Sequence, residues 1–154
     1  MLCNAFRISL MAIIVSLGVP GPGESAPQEN AKLKDVAIPT TDKHDWLLKH
    51  PTIQKLLKLA NEERARNGLS VLSLNTKMCL AAQKHAVWMA ETGVYMHSDL
   101  PWPEIIFQGP LTPRDAIDGW IHSPAHHGIM LSGNEAGFGY MVIDGRTYWV
   151  GVFQ

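Results

Sequence analysis

Three histidines fall within the stretch GWIHSPAHHGIML, at His122, His126 and His127. Imidazole is the commonest metal ligand and the usual general base near neutral pH. Ser123 and His126 can be read as a nucleophile with its base. Against that reading, a serine just before Pro124 is the expected N-cap of a short helix, its oxygen accepting from a backbone N–H. The sequence also places no third acid to orient such a pair. His122 is expected at the C-terminal end of the preceding helix, exposed, where a cation suits the helix dipole.

Other reactive types lie on helices. Cys79, in the apolar stretch MCLAA, reads as a small buried hydrophobe, with no charged neighbour to activate its thiol. His85 reads as a satisfied helix-face histidine rather than a ligand. Asn61 and Arg64 continue the apolar stripe of their helix, so they must find partners inside the protein. The expected role of this pair is a structural clamp on a neighbouring loop.

The elements that must position these groups are legible from periodicity. TIQKLLKLANEERARNG is a helix, with Ile53, Leu56, Leu57 and Ala60 at i, i+3, i+4 and i+7 and Gly68 as its stop. NTKMCLAAQKHAVWMAETG is a second helix, capped by Asn75 or Thr76 and ended by Gly93, with Met78, Ala82, His85 or Ala86, and Met89 inward. EIIF follows two prolines and reads as a short strand. In TPRDAIDGWIH, Thr112 caps, Pro113 takes the first helical position, and Asp115 completes a capping-box-like pair. GFGYMVI-DG-RTYWVGVF is a hairpin turning at Asp144-Gly145. Helices and strands ending in an antiparallel pair predict a layered α/β (α+β) domain.

The 154 residues, 46% hydrophobic and 18% charged, are enough for one domain with one core. Net charge is −1, with no basic run or basic helix face, so no nucleic acid and no anionic membrane surface is expected as a partner. Residues 1–26 read as a secretory signal peptide: Arg7, the apolar run Ile8–Val19, then a Pro/Gly break ending in Ser25 and Ala26. That run is shorter than the roughly 20 residues that span a bilayer. Its removal leaves one cysteine and no internal disulfide, in a mature chain without a transmembrane segment. Residues 27–50 read as a flexible leader, in which HDWLLKH adds a short helical turn before Pro51, and 51–154 as the domain. The location is extracytoplasmic and the chain is read as a monomer.

LANEERARNGLSVLSLNTKMCLAAQKHAVWMAETGVYMHS, PEII, TPRDAIDGWIHSPAHHGIML and GFGYMVIDGRTYWVGVF together resemble the bacterial branch of the CAP superfamily, whose unit is the SCP domain. The resemblance covers residues 53–153. It implies a three-layer α-β-α sandwich with a C-terminal antiparallel hairpin, and an extracellular location. It also implies a cleft in which two histidines and two acids meet and, in some members, hold a divalent metal. By position the first histidine is His97, the first acid Glu104 and the second histidine His126. The second acid falls on Ser123. His126 is then expected to turn into the cleft. His127 stands where relatives often carry arginine and is expected to be a solvated polar residue.

Two imidazoles and one carboxylate can hold zinc with open positions. A water on such an ion can attack an ester or amide. Without a metal, Glu104 beside a histidine can act as a base, or the three groups can form a structural network. Three functions therefore compete. One is a secreted binding module for a small or apolar ligand or a cell-envelope component. Met96, Trp102, Ile106 and Phe107 can line its cleft, although Ile106 and Phe107 suit the core better. The others are a metal-dependent, peptidase-like hydrolase, which the loss of an acid at Ser123 disfavours, and a structural domain with no open site.

Overall fold

A computed structural model describes residues 44–109 and 111–154. The expected signal peptide and residues 27–43 of the leader lie outside the described residues. In chain order the elements are α1 (Asp45–Leu48), α2 (Pro51–Arg66), β1 (Ser73–Leu74), α3 (Thr76–Thr92), β2 (Glu104–Gln108), α4 (Pro113–Ile121), α5 (Pro124–Met130), β3 (Glu135–Ile143) and β4 (Arg146–Phe153). Residues 44–50, assigned from sequence to the leader, are folded: α1 is the turn expected in HDWLLKH, and its Leu47 is buried in the core. Burying that side chain is what holds the segment down.

The caps follow the sequence closely. Asn75 accepts from Met78 N–H at 3.2 Å to start α3, and Gly93 ends it with φ 70°. Thr112 caps α4 by accepting from Asp115 N–H at 3.2 Å. The hairpin turns on two left-handed residues, Asp144 (φ 49°) and Gly145 (φ 72°). Its β3 and β4 pair in antiparallel register from Ala136–Phe153 to Ile143–Arg146.

The sheet runs β1-β3-β4-β2, so β2 is an edge strand, antiparallel to β4, and β1 pairs parallel to β3 at the opposite edge. Side chains alternate across the strands and fill two separate apolar layers. On one face Ile105, Phe138, Trp149 and Phe153 meet Ile53 and Leu56 of α2 and Ile117 and Trp120 of α4. On the other, Ile106, Tyr148, Val150 and Val152 meet Met78, Ala82, Ala86 and Met89 of α3. This is a three-layer α-β-α sandwich. Helix α3 lies almost directly on β3: a Cβ built on Gly137 would stand 2.2 Å from the Met78 carbonyl carbon, and one on Gly139 2.2 Å from Gln83 N.

Asn61 and Arg64 tie loops to the body. Asn61 donates to Leu72 O at 3.1 Å and accepts from Leu72 N–H at 2.7 Å. Arg64, 2% exposed, donates to four carbonyls, of Ser70, Met130, Ser132 and Gly133, at 2.8–3.2 Å. Two of its partners follow α5 and one ends it, so a fixed cation faces the negative end of that helix. Desolvation pulls the guanidinium below its usual pKa, but arginine stays charged throughout the physiological range. Cys79 is fully buried, and burial pushes its thiol up to about 11, the behaviour of a core residue.

Candidate functional site

The edge strand β2 starts with Glu104, which shares the α3-facing side of the strand with Ile106. The carboxylate is nearly buried, its side chain 5% exposed. Both oxygens are occupied. Oε2 accepts from His97 Nδ1 at 2.9 Å and from Ser98 N–H at 2.9 Å, and Oε1 accepts from the Ser98 hydroxyl at 2.6 Å. A carboxylate can only accept, so Nδ1 of His97 carries the hydrogen. The His97 ring is thereby fixed while 56% of its side chain faces solvent. Its Nε2 has no partner among the described residues.

His126, in the first turn of α5, brings its ring to 6.2 Å from that of His97, centroid to centroid, tilted by 55°. Burial lowers its pKa, and the neighbouring His97 lowers it further. His126 is therefore neutral at pH 7 and carries a lone pair. The structure thus places His97 between Glu104 and His126. It does not bring in Ser123, which makes no side-chain cap bond and no hydrogen bond to the other three. Ser123 holds the N-cap position of α5 through its extended backbone, and the expected side-chain cap bond is absent.

Among the described residues no three histidine, cysteine, aspartate or glutamate side chains are arranged to hold an ion. Ser98 engages Glu104 from both its N–H and its hydroxyl, and the same carboxylate orients the His97 imidazole, a carboxylate–histidine arrangement that fixes the tautomer. What the donor set does fit is an open pair of imidazoles.

Sequence reasoning missed two participants, Ser98 and the approach of His85 to Glu104. Ser98 follows His97 directly, and its polarity was the only signal. His85 is satisfied, as expected, by Met96 O at 2.9 Å, but it also stands 3.9 Å from Glu104 Oε1 and stacks on Trp88. His127, expected in solvent, is half-buried, with Nε2 2.9 Å from Glu63 Oε1 on α2. His122 ends α4, exposed as expected, with Nδ1 2.6 Å from Asp118 O. Ile106 is core, Phe107 half-buried, and Met96 53% exposed beside His97. Trp102 is fastened outside the site by donating to Gln154 Oε1 at 2.7 Å.

A three-layer α-β-α domain whose edge strand presents a carboxylate to a histidine from the preceding loop, with that histidine beside a helix opening Ser-Pro-x-His, fits the SCP class of domain. The model of the cysteine-rich secretory protein family, CAP, matches residues 57–153, and the chain belongs to that family. Solved structures agree on the fold. An outer surface protein from Borrelia burgdorferi superposes with a TM-score of 0.59 at 17% identity, over 65% of this chain and 89% of that one. Venom allergen-like protein 4 from Schistosoma mansoni gives 0.55 at 14%, over 66% and 86%. An extracellular protein containing an SCP domain from Bacillus anthracis gives 0.50 at 16%, over 67% and 40%. No curated protein matches. Among the described residues no helix is long and apolar enough to cross a membrane.

Proposed function

We propose that this chain is an extracytoplasmic CAP-domain binding module whose contact point is the imidazole pair His97–His126, with Glu104 as the orienting carboxylate. The observation that carries the reading is the orientation of His97 by Glu104. The carboxylate accepts from Ser98 N–H, Ser98 Oγ and His97 Nδ1. These contacts pre-organise His97 with Nε2 outward, beside His126, and an oriented imidazole pair supports recognition.

The ligand class such a pair takes is a divalent cation of borderline softness, zinc above all, held by His97 Nε2 and the neutral His126. Zinc would act there as a Lewis acid toward a third group. Two protein ligands are fewer than the three or four of dedicated zinc sites, so binding is weak. A CAP-type structure, NaASP2 with Zn2+, superposes at a TM-score of 0.54 and 15% identity, and the likeness supports the fold comparison. The signal-peptide reading of residues 1–26 supports the location.

Zinc titration by calorimetry tests the proposal, wild type against His97→Ala, His126→Ala and Glu104→Gln. Saturable binding that either histidine substitution removes, and that Glu104→Gln weakens about 10- to 100-fold, is expected. Binding untouched by the histidine substitutions would overturn the site, and none in the wild type would leave a structural network.

A further inference from the structure

The solvent face of α3 carries a feature that the imidazole pair does not use. Trp88 is a large aromatic left 41% exposed. One side of its indole is covered by His85, whose ring lies parallel to it, 5.6 Å between centroids and 13° between planes. His85 is in turn pinned by Met96 O at 2.9 Å. The indole is therefore a backed, oriented shelf rather than a free side chain. It lines an open groove of about 490 Å³ between α3 and the loop after it, with Lys84, Ser98, Asp99 and Leu100. The groove shares His85, Trp88, Ser98 and Asp99 with a hollow of about 260 Å³ that reaches Met96 and His97. Both volumes are of the order of ligand sites, about 300–1,000 Å³.

Lys84 lies one helical turn from Trp88 on the same face. Neither Lys84 nor Asp99 has a hydrogen-bond or ion-pair partner among the described residues. The groove thus offers an apolar floor, one free ammonium and one free carboxylate. A ligand charged in either sense meets a like charge there. A neutral molecule with an apolar face and a rim of hydroxyls meets none, because hydroxyls donate to Asp99 and accept from Lys84.

From this we infer that the groove binds a neutral glycan, one pyranose laying its C–H face on Trp88 while its hydroxyls bridge Asp99 and Lys84. The inference rests on the extracytoplasmic part of the proposed function and not on the imidazole pair.

The test uses the full chain in EDTA, so that failure of zinc binding leaves it untouched. Indole N–H spectra are followed while cellotetraose or chitotetraose is added, with a glucosamine tetramer and a galacturonate tetramer as cationic and anionic counterparts. The Trp88 signal is assigned with Trp88→Phe. It is expected to move saturably with at least one neutral tetramer and to respond at least tenfold more weakly to both charged ones. Trp88→Ala, with an unchanged melting curve, is expected to weaken binding about tenfold. Asp99→Asn and Lys84→Met, which spare the shelf, are expected to weaken it about threefold each. No saturable shift with either neutral tetramer would overturn the inference. So would equal or tighter binding of a charged tetramer, or binding that Trp88→Ala and Asp99→Asn both leave intact.

Discussion

His97 meets Glu104 and His127 meets Glu63 at the same 2.9 Å, with the carboxylate side chain 5% exposed in one pair and 10% in the other. The consequences differ. Glu104 spends its remaining acceptor capacity on Ser98, one residue along the same loop, so the pair fixes a loop locally and leaves the imidazole 56% exposed. Glu63 spends its own on Arg66 and Asn67 of α2 and its C-cap, while His127 reaches it from α5, 64 residues away. That pair joins two helices of one layer, and its imidazole is only 26% exposed. Which role a histidine–carboxylate pair takes is decided by what else the carboxylate holds and by how far apart in the chain the partners are.

The largest expected effect of breaking this comparison is on stability at the helix pair. Glu63→Ala should lower unfolding free energy by about 2 kcal/mol, since it leaves His127 half-buried without its acceptor. Zinc affinity should be unchanged. Chemical denaturation beside calorimetry checks both halves. Glu104→Gln should invert the pattern, costing about 1 kcal/mol of stability while weakening zinc about 10- to 100-fold.

Acid sharpens the distinction further. Burial opposes ionisation of Glu63, but hydrogen bonds from Arg66, His127 and Asn67 outweigh it and hold its pKa below the usual 4.5. A lowered carboxyl pKa adds stability above the unfolded value, and that contribution is lost as pH falls through the folded value. Glu63→Gln should therefore flatten the acid limb of the stability curve below about pH 4.5 relative to wild type. His126 works in the same sense at higher pH. Its lowered pKa means that the folded state resists protonation, so stability declines as pH falls below the usual 6.5. His126→Asn should remove that decline, measured by melting between pH 7 and pH 5. The smallest effect belongs to His97→Asn, where the exposed ring makes a change in stability of less than about 0.5 kcal/mol the expectation.

Much of the fold was legible because its signals are local. Periodicity fixed the inner faces of α2 and α3, Asn75 and Thr112 announced their helices, and Asp144-Gly145 announced the hairpin. His97, Glu104 and His126 were picked out by motif; His97 meets Glu104 and has the His126 ring beside it. What stayed hidden is set by packing over long separations. Nothing near His127 in sequence points to Glu63, because their meeting depends on how α5 docks against α2. The hold of Ser98 on Glu104 stayed hidden because Ser98 is an ordinary loop residue until the chain folds back. Trp88 shows no signal of its own beyond falling outside the buried stripe.

The close seating of α3 on Gly137 and Gly139 has a bearing on motion. With no strand side chain at these two positions the helix and strand backbones meet closely, and Gln83 of α3 adds a two-way hydrogen bond to the Tyr140 backbone of β3. Their amides should exchange with solvent only through global opening and be the slowest in the chain. The loop carrying His97 is fastened to β2 and α3 at several points: Tyr95 donates to Ile106 O, His97 and Ser98 donate to Glu104, and Met96 O meets His85 of α3. Trp88 and His97 are therefore held on one frame.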